Sequence, residues 1–467
     1  MKAPGRPRSL AGPGLARGAV AGTLAIALVW GWVYRMEHAV VRLQAEGLAV
    51  EPDGGRRVIP AQSRAQLVPG VRVLAPDTGS LTDSVPDRRD LVEQQQRWLA
   101  AGSLPGRGTP LAGMVADALL DMHVLTLDNG ATVAAWSQQW RYVWPRDASF
   151  VAAAYARTGH TEDALRLLLF LQSVQHPDGR FEARYRPNGA GPPDSRGIQL
   201  DGTGWVLWAA DQVAGTLPDP GARAGLVAQL RPMIDRSTSA AIAAIANHRD
   251  LPGPSRDYWE ARVHATTLGT AAPLLAGLRS AGDLYAAAGD APAAARARAA
   301  AVRLDAAIRR DFGPAGYPRE LGGHQPDAAV AFLLPPFAPR ATDDVLAAWR
   351  TAARELRRPA GGLAPGAGWK DDGVSWTAET AIFALTAAGS GQTQAAQAWL
   401  AWLDTHRTRL GALPEQVTSD GRPASVAPLS WTAAIVVLAA DALDGPVTPD
   451  GSDGRGGSGA PVGTNPP

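Results

Sequence analysis

The sequence predicts an all-α fold, a double-layered ring of six helical hairpins, and three features read together lead there. Apolar residues recur at helical spacing through most of 111–444. The breaks between helical segments alternate between short and long. Every motif that joins an acid to tryptophan lies in or beside a long break. Antiparallel neighbours place all short turns at one end of such a ring and all long connections at the other, so these motifs meet at one mouth.

The elements follow in order. Lys2, Arg6, Arg8 and Arg17 precede an uncharged stretch over 18–34, and Arg35 closes it. Seventeen residues is near the short limit of a membrane span. Trp30, Trp32 and Tyr34 rim its far end, and the basic flank keeps the N-terminus inside. No small-x-small cleavage site follows it. Residues 1–44 are therefore expected to be a cytoplasmic tail and a membrane anchor that holds the remainder on the extracytoplasmic side of the cell membrane; the rival reading is a cleaved signal helix, and either way the rest of the chain is exported. Residues 45–110, rich in Pro, Gly and Arg, read as a stalk and lead-in with one helix near 90–101.

The barrel itself is expected over 111–444, starting with a helix near 111–122. A small β-hairpin insertion follows at 125–136, with Asp128-Asn129-Gly130 at its turn. Thr161-Glu162-Asp163 opens a helix with a cap and two first-turn acids, lined by Ala164, Leu165, Leu168 and Leu171. Asp290 and Pro292 start another, carrying Ala301, Leu304 and Ile308. A third follows Gly391, with Ala395, Trp399, Trp402 and Leu403, and a last one is expected near 426–443. Short breaks lie near 159–160, 218–221, 289–290, 335–340 and 389–391; long ones lie at about 176–199, 246–263, 312–324, 357–373 and 409–424. That makes about twelve helices. Residues 445–467 have almost no apolar content and should be disordered.

Composition narrows the function classes. A net charge of +1, from 45 basic and 44 acidic side chains, gives no electrostatic case for nucleic acid. The absence of cysteine removes disulfides, thiol catalysis and thiolate metal sites. Fifteen Trp stand against seven Tyr and seven Phe, and the indole is the broadest flat platform for a sugar ring. His264 stands alone near the acids, a poor basis for a metal site, and no metal or organic cofactor is expected.

Four motifs carry the chemistry. Trp144-Pro145-Arg146-Asp147 leads into a helix; the Arg-Asp pair reads either as a salt-bridged cap or as a donor and acceptor for adjacent hydroxyls beside a stacking indole. Asp201 precedes Trp205 and Trp208 and reads equally as a helix-start acid. Glu260, next to Trp259, is either a surface acid or a general acid kept protonated by apolar contact. Glu415 lies in the last long break, upstream of Ser425 and Trp431, and as an ionised base it needs hydrogen-bond donors and an open water position. Two carboxyls across a tryptophan-lined pocket are the minimum for cleaving a glycosidic bond.

From about Val124 to Leu443 the chain resembles glycoside hydrolase family 15, the glucoamylase-like enzymes. The resemblance is carried by YVWPRDAS (142–149), QLDGTGWVLWA (199–209), YWE (258–260), QPDAAVAFLLPPF (325–337) and LPEQVTSDGRPASVAPLSW (413–431). It implies an (α/α)6 barrel that attacks α-glucosidic ends of oligo- or polysaccharides with inversion, exo-acting. It also implies Glu260 as general acid, Glu415 as general base and Arg146 with Asp147 as the grip on the terminal glucose. Trp144 would stack beside them, and Ser425 would support the base. The chain departs from the family at Ala261, where a second Glu is common, and in the loop 361–376, which offers Lys370 where an arginine is expected. Those departures keep a second reading open: a glycan-binding or cell-envelope assembly module on the same barrel.

Overall fold

In the computed structural model, which describes residues 41–51, 53–76 and 85–445, six inner elements close a ring and six outer helices pack around them. The outer members are α2 (Ala112–Leu125), α4 (Thr161–Val174), α6 (Pro220–Ala244), α8 (Ala291–Asp311), α9 (Asp343–Glu355) and α11 (Thr393–Thr405). The inner members are α3 (Pro145–Arg157), α5 (Asp201–Thr216), α7 (Leu268–Ala287), a 3-10 segment (Ala328–Leu333), α10 (Thr377–Gly389) and α12 (Ser430–Asp444). Outer and inner alternate along the chain. Each inner element but the last turns into an outer helix through a short connection, and each outer helix returns inward through a long one, as the spacing of breaks predicts. An additional helix, α1 (Val85–Ala101), lies against α2.

Burial follows position in the ring. Nearly every residue of α3 from Pro145 to Ala156 is buried, and α7, α10 and α12 are covered in the same way, as expected for helices enclosed by other helices. Outer helices bury one stripe: on α8 it is Ala294, Ala297, Ala301, Leu304 and Ile308. Asp290 caps α8 by accepting from the Ala293 amide, 3.1 Å.

Four expectations need correction. The fourth inner element is no α-helix: Pro326 and the Pro335-Pro336 pair leave room for only six helical residues, and Asp327 caps them. Thr161 is the first residue of α4 and makes no cap; Asp163 instead accepts from the Trp98 indole (2.9 Å), and that ring stacks between His123 and His160. On α11 the buried stripe is Ala396, Leu400 and Leu403, with Trp399 and Trp402 only half-buried. The hairpin expected at 125–136 reduces to one bridge, Thr126 to Thr132, around a turn whose Gly130 has φ 85°.

Residues 45–110, expected as a stalk and lead-in, pack on the barrel where they are described. Strands β1 (Ala45–Val50) and β2 (Arg56–Pro60) form an antiparallel hairpin with Leu48 and Ile59 buried. Thr408 donates to the Glu46 carbonyl at 2.5 Å, and buried Arg72 pairs with Asp117 (2.9 Å) and Asp121 of α2. The anchor over 18–34 and the tail over 446–467 lie outside the described residues. Among the described residues no helix is long and apolar enough to cross a membrane.

The inner helices touch most closely where α5 crosses α7. A Cβ on Gly204 would lie 2.1 Å from the Pro273 carbonyl oxygen, and one on Gly277 would lie 2.6 Å from the Gly204 oxygen. Gly204→Ala should therefore force the two helices apart and lower stability by about 1–3 kcal/mol. Urea denaturation measures it, and an unchanged midpoint would refute the close contact.

Candidate active site

The six long connections gather at one end of the ring, and a small unexpected sheet organises two of them. Strands β3 (Ser375–Trp376), β4 (Gln416–Val417) and β5 (Pro423–Ala424) pair antiparallel in that order. Glu415 sits just before β4, clamped by its amide to the Val426 carbonyl (2.8 Å) and by its carbonyl to the Thr377 amide (3.1 Å). Its carboxyl accepts from the Trp140 indole at 3.0 Å and from the Ser425 hydroxyl. Ser425 follows β5 with φ 63°, a left-handed conformation costly for a side-chain-bearing residue. The chain before β1 holds it there: the Gln44 amide donates to the Ser425 carbonyl, and the Ser425 amide donates to Arg42. Burial raises the Glu415 carboxyl above its ordinary range; the Ser425 and Trp140 donors pull it back, and Asp147 pushes it up.

Glu260 faces the same space from the 245–267 connection. Its backbone is also left-handed, φ 54°, closing a turn in which its amide donates to the Asp257 carbonyl at 2.7 Å. Asp257 is buried against Arg319 (3.0 Å), which also reaches Asp327 (3.4 Å) and lies 3.6 Å over the Trp259 ring. The apolar surroundings expected for the Glu260 carboxyl are not what the structure places there. It accepts from the Trp144 indole N–H and from the Arg196 guanidinium, while Trp259 packs against Arg319 and edge-on against Trp369.

Both carboxyls line one cavity of about 220 Å3. Of the other expected residues, Trp144, Arg146, Asp147, Trp259 and Trp431 line it too. Arg146 and Asp147 project from the first turn of α3, 3.0 Å apart, and the guanidinium lies 4.4 Å over the Trp431 ring. Asp201 does not line the cavity. It is buried behind Arg146 at 3.8 Å and accepts from the Gly202 amide, a support for the guanidinium rather than a contact surface. Burial pushes its carboxyl up to about 7, against the pull of Arg146. Ser425 likewise stays outside the wall and acts on Glu415 alone.

Several lining residues escaped the sequence reading: Trp140, Arg184, Arg196, Trp369, Trp376 and Glu379. The loop with Lys370 contributes Trp369 and Trp376 instead of a cation, and the Lys370 ammonium lies 5.9 Å from the Trp369 ring. Two further guanidinium groups beside that of Arg146 come from the 175–200 connection, Arg184 and Arg196. Arg146 Nε and Nη1, Glu379 Oε2 and the indole N–H groups of Trp259, Trp369, Trp376 and Trp431 have no hydrogen-bond partner in the protein. Buried polar atoms are rarely left so, and this set of donors and acceptors beside flat rings matches a polyhydroxylated ring. Among the described residues no group of three or more His, Asp or Glu is placed to hold a metal ion.

Removing Arg146 should show how far the buried acids depend on it. Arg146→Met leaves Asp147 and Asp201 without a cation and should cost about 3–5 kcal/mol at neutral pH. Asp201 already titrates above its unfolded value, so folding binds a proton and stability falls as pH rises from about 4 towards 7. Losing the guanidinium raises that carboxyl further, so the deficit should be larger at pH 8 than at pH 5. Thermal unfolding at both pH values measures it, and an equal deficit would argue against the pairing.

No family model matches the chain. A curated relative, an uncharacterized glycosyl hydrolase of Methanocaldococcus jannaschii, is 34% identical over 96 residues, which is 20% of this chain and 15% of that protein's length. Solved structures align over far more of the barrel. A glycosidase in complex with glucose is 22% identical and covers 71% of this chain and 96% of its own, with a TM-score of 0.62. A bacterial glucoamylase complexed with acarbose is 17% identical, covering 77% of this chain and 59% of its own, with a TM-score of 0.61. The glucoamylase of Saccharomycopsis fibuligera is 13% identical, covering 76% and 95%, with a TM-score of 0.57. The likeness carried by the motifs extends to three dimensions: the structural neighbours of this chain are glycosidases and glucoamylases with a common helical barrel.

Proposed function

We propose that this chain is a glycoside hydrolase that removes α-linked glucose from non-reducing ends with inversion. The observation that carries the reading is the pair of carboxyls, Glu260 and Glu415, delivered by different connections to one tryptophan-lined cavity. The surroundings of Glu415 suit a base. Glu415 accepts two neutral donors and touches no cation, so its charge stays available to draw a proton from water. Glu260 lines the same cavity, against Trp144 and Arg196, and would deliver a proton to the glycosidic oxygen. The bond from the anomeric carbon to that oxygen breaks as water adds from the opposite face, its proton passing to Glu415. Inversion of this kind needs a carboxyl separation of roughly 6.5–9.5 Å, room for one water.

Arg146 and Asp147 supply a donor and an acceptor to neighbouring hydroxyls of the terminal ring, and Asp201 keeps the guanidinium in place. At 220 Å3 the cavity is below the roughly 300–1,000 Å3 of drug-sized sites, which suits one terminal sugar rather than the interior of a polymer. Export and membrane anchoring rest on the basic flank and the apolar stretch over 18–34.

A second reading, a glycan-binding or cell-envelope assembly module, draws on one observation. Arg196 pairs with Glu260, and an ion-paired carboxylate carries no proton to donate. Incubating the wild type with maltose, isomaltose, trehalose and dextran decides between them. The hydrolase releases β-glucose, seen by NMR, while binding without release supports the module.

For the hydrolase, Glu260→Gln and Glu415→Gln should each lower kcat by about 10²–10⁴-fold. Turnover that survives both would remove the assigned roles. The Glu415 carboxyl is raised, so activity should rise with pH through a midpoint above the ordinary glutamate value. Ser425→Ala deletes a donor that holds this carboxyl down; the acid limb should move to higher pH and kcat should fall about tenfold. An acid limb left in place would show that the Ser425 contact is not felt by the base.

A further inference from the structure

One carboxyl in the cavity has no place in that mechanism. Glu379 lies in the first turn of α10, 3% exposed, and lines the wall beside Glu415 and Arg146. Its Oε2 has no hydrogen-bond partner, and no salt bridge reaches it at the distances that define the Arg146–Asp147 pair. A buried carboxyl in a packed helix normally pairs or is replaced by an apolar residue. Here the oxygen without a partner belongs to a residue in the wall of the cavity.

We propose that Glu379 is a sugar-binding residue, donating a hydrogen bond from its carboxyl to one hydroxyl of the terminal ring. This rests on the carbohydrate reading of the cavity and not on hydrolysis. The charged groups that face it are Arg146 from α3, Glu415 from the last connection and Asp327 from the cap of the 3-10 segment. Arg146 is already shared between Asp147 and Asp201, and the other two repel a second negative charge. Burial is the largest influence and carries the Glu379 carboxyl up to about 8, against the opposing pull of its own backbone amide and Arg146. A neutral acid at neutral pH is a donor on one oxygen and an acceptor on the other, which neither Asp147 nor Glu415 can be while ionised. Protonated Glu379 also leaves Glu415 as the charged member of the two neighbouring acids, so binding and base function do not compete.

Tryptophan fluorescence, with Trp140, Trp144, Trp369, Trp376 and Trp431 in the wall, reports binding directly. Glucose and its 2-, 3-, 4- and 6-deoxy analogues are titrated into wild type, Glu379→Gln and Glu379→Ala. Glu379→Ala should bind glucose about 10- to 100-fold more weakly and should show no further loss for the one analogue that lacks the contacted hydroxyl. Glu379→Gln keeps a donor and an acceptor, so at about pH 6 its affinity should stay within about threefold of wild type. At about pH 9 the wild type should weaken as Glu379 ionises, and the Gln variant should not.

An alanine variant with the wild-type affinity and analogue profile overturns the proposal, as does a glutamine variant equally weak at both pH values. Wild type that binds no hexose overturns it as well. Should Glu379→Ala misfold by near-UV circular dichroism, the glutamine variant at two pH values carries the test alone. Wild type that shows these binding signatures yet releases no glucose from any α-glucoside sinks the hydrolase reading and leaves this one standing.

Discussion

The buried cluster around Arg319 is the constraint on which the mouth of the barrel depends. One guanidinium, 6% exposed, joins Asp257 from one connection to Asp327 at the cap of the 3-10 segment and lies against the Trp259 ring. The Tyr258 hydroxyl closes the cluster, donating to Asp327 at 2.5 Å, with the Pro365 carbonyl oxygen 2.9 Å from the same phenolic oxygen. Three connections are tied together where the ring is thinnest, since six residues of 3-10 helix stand where the others have three or more turns of α-helix. Burial still carries Asp327 up to about 6, so even with the cation beside it the pair leaves part of the desolvation cost uncompensated. Such a cluster is weak as a source of stability and strong as a geometric constraint: it anchors the turn that presents Glu260.

Two residues of the site stand in left-handed backbone, Glu260 and Ser425, and each is held from outside its own loop. Asp257 and Arg319 hold the first. The chain entering β1 holds the second, through backbone bonds from Arg42 and Gln44 to Ser425. The hairpin before the barrel is thereby part of the site's support. Strain at such positions persists only where surrounding contacts over-determine it, and here they come from segments far apart in sequence.

The ring was legible in the sequence because its two signals are local. Helical spacing of apolar residues depends on the element's own partners, and short or long breaks depend on Gly and Pro that the chain displays openly. Asp290, Pro292 and the spacing of Ala301, Leu304 and Ile308 mark the start and the buried face of α8 in the sequence itself. The signal failed where local evidence was ambiguous. Thr161 looked like a cap but is a first-turn residue, because Gly159 and His160 already make the turn. The segment with Ala328–Leu333 looked helical, but the flanking prolines cut it to six residues.

The site divides along the same line. Glu260, Glu415, Arg146, Asp147 and the tryptophans beside them were visible because each sits in a motif that clusters acids with indoles. What each group pairs with was decided only by the fold. Arg196 reaches Glu260 and Trp140 reaches Glu415 from other connections, Asp201 retreats behind Arg146, and Glu379 looks from sequence like any first-turn acid. The chain by itself determined the helical ring and which end of it carries the carboxyls, since periodicity and connection length are properties of neighbours in sequence. Only the tertiary structure decided how those carboxyls are buried and held, because burial and pairing depend on atoms brought together from different connections, such as Trp140 with Glu415 and Arg196 with Glu260.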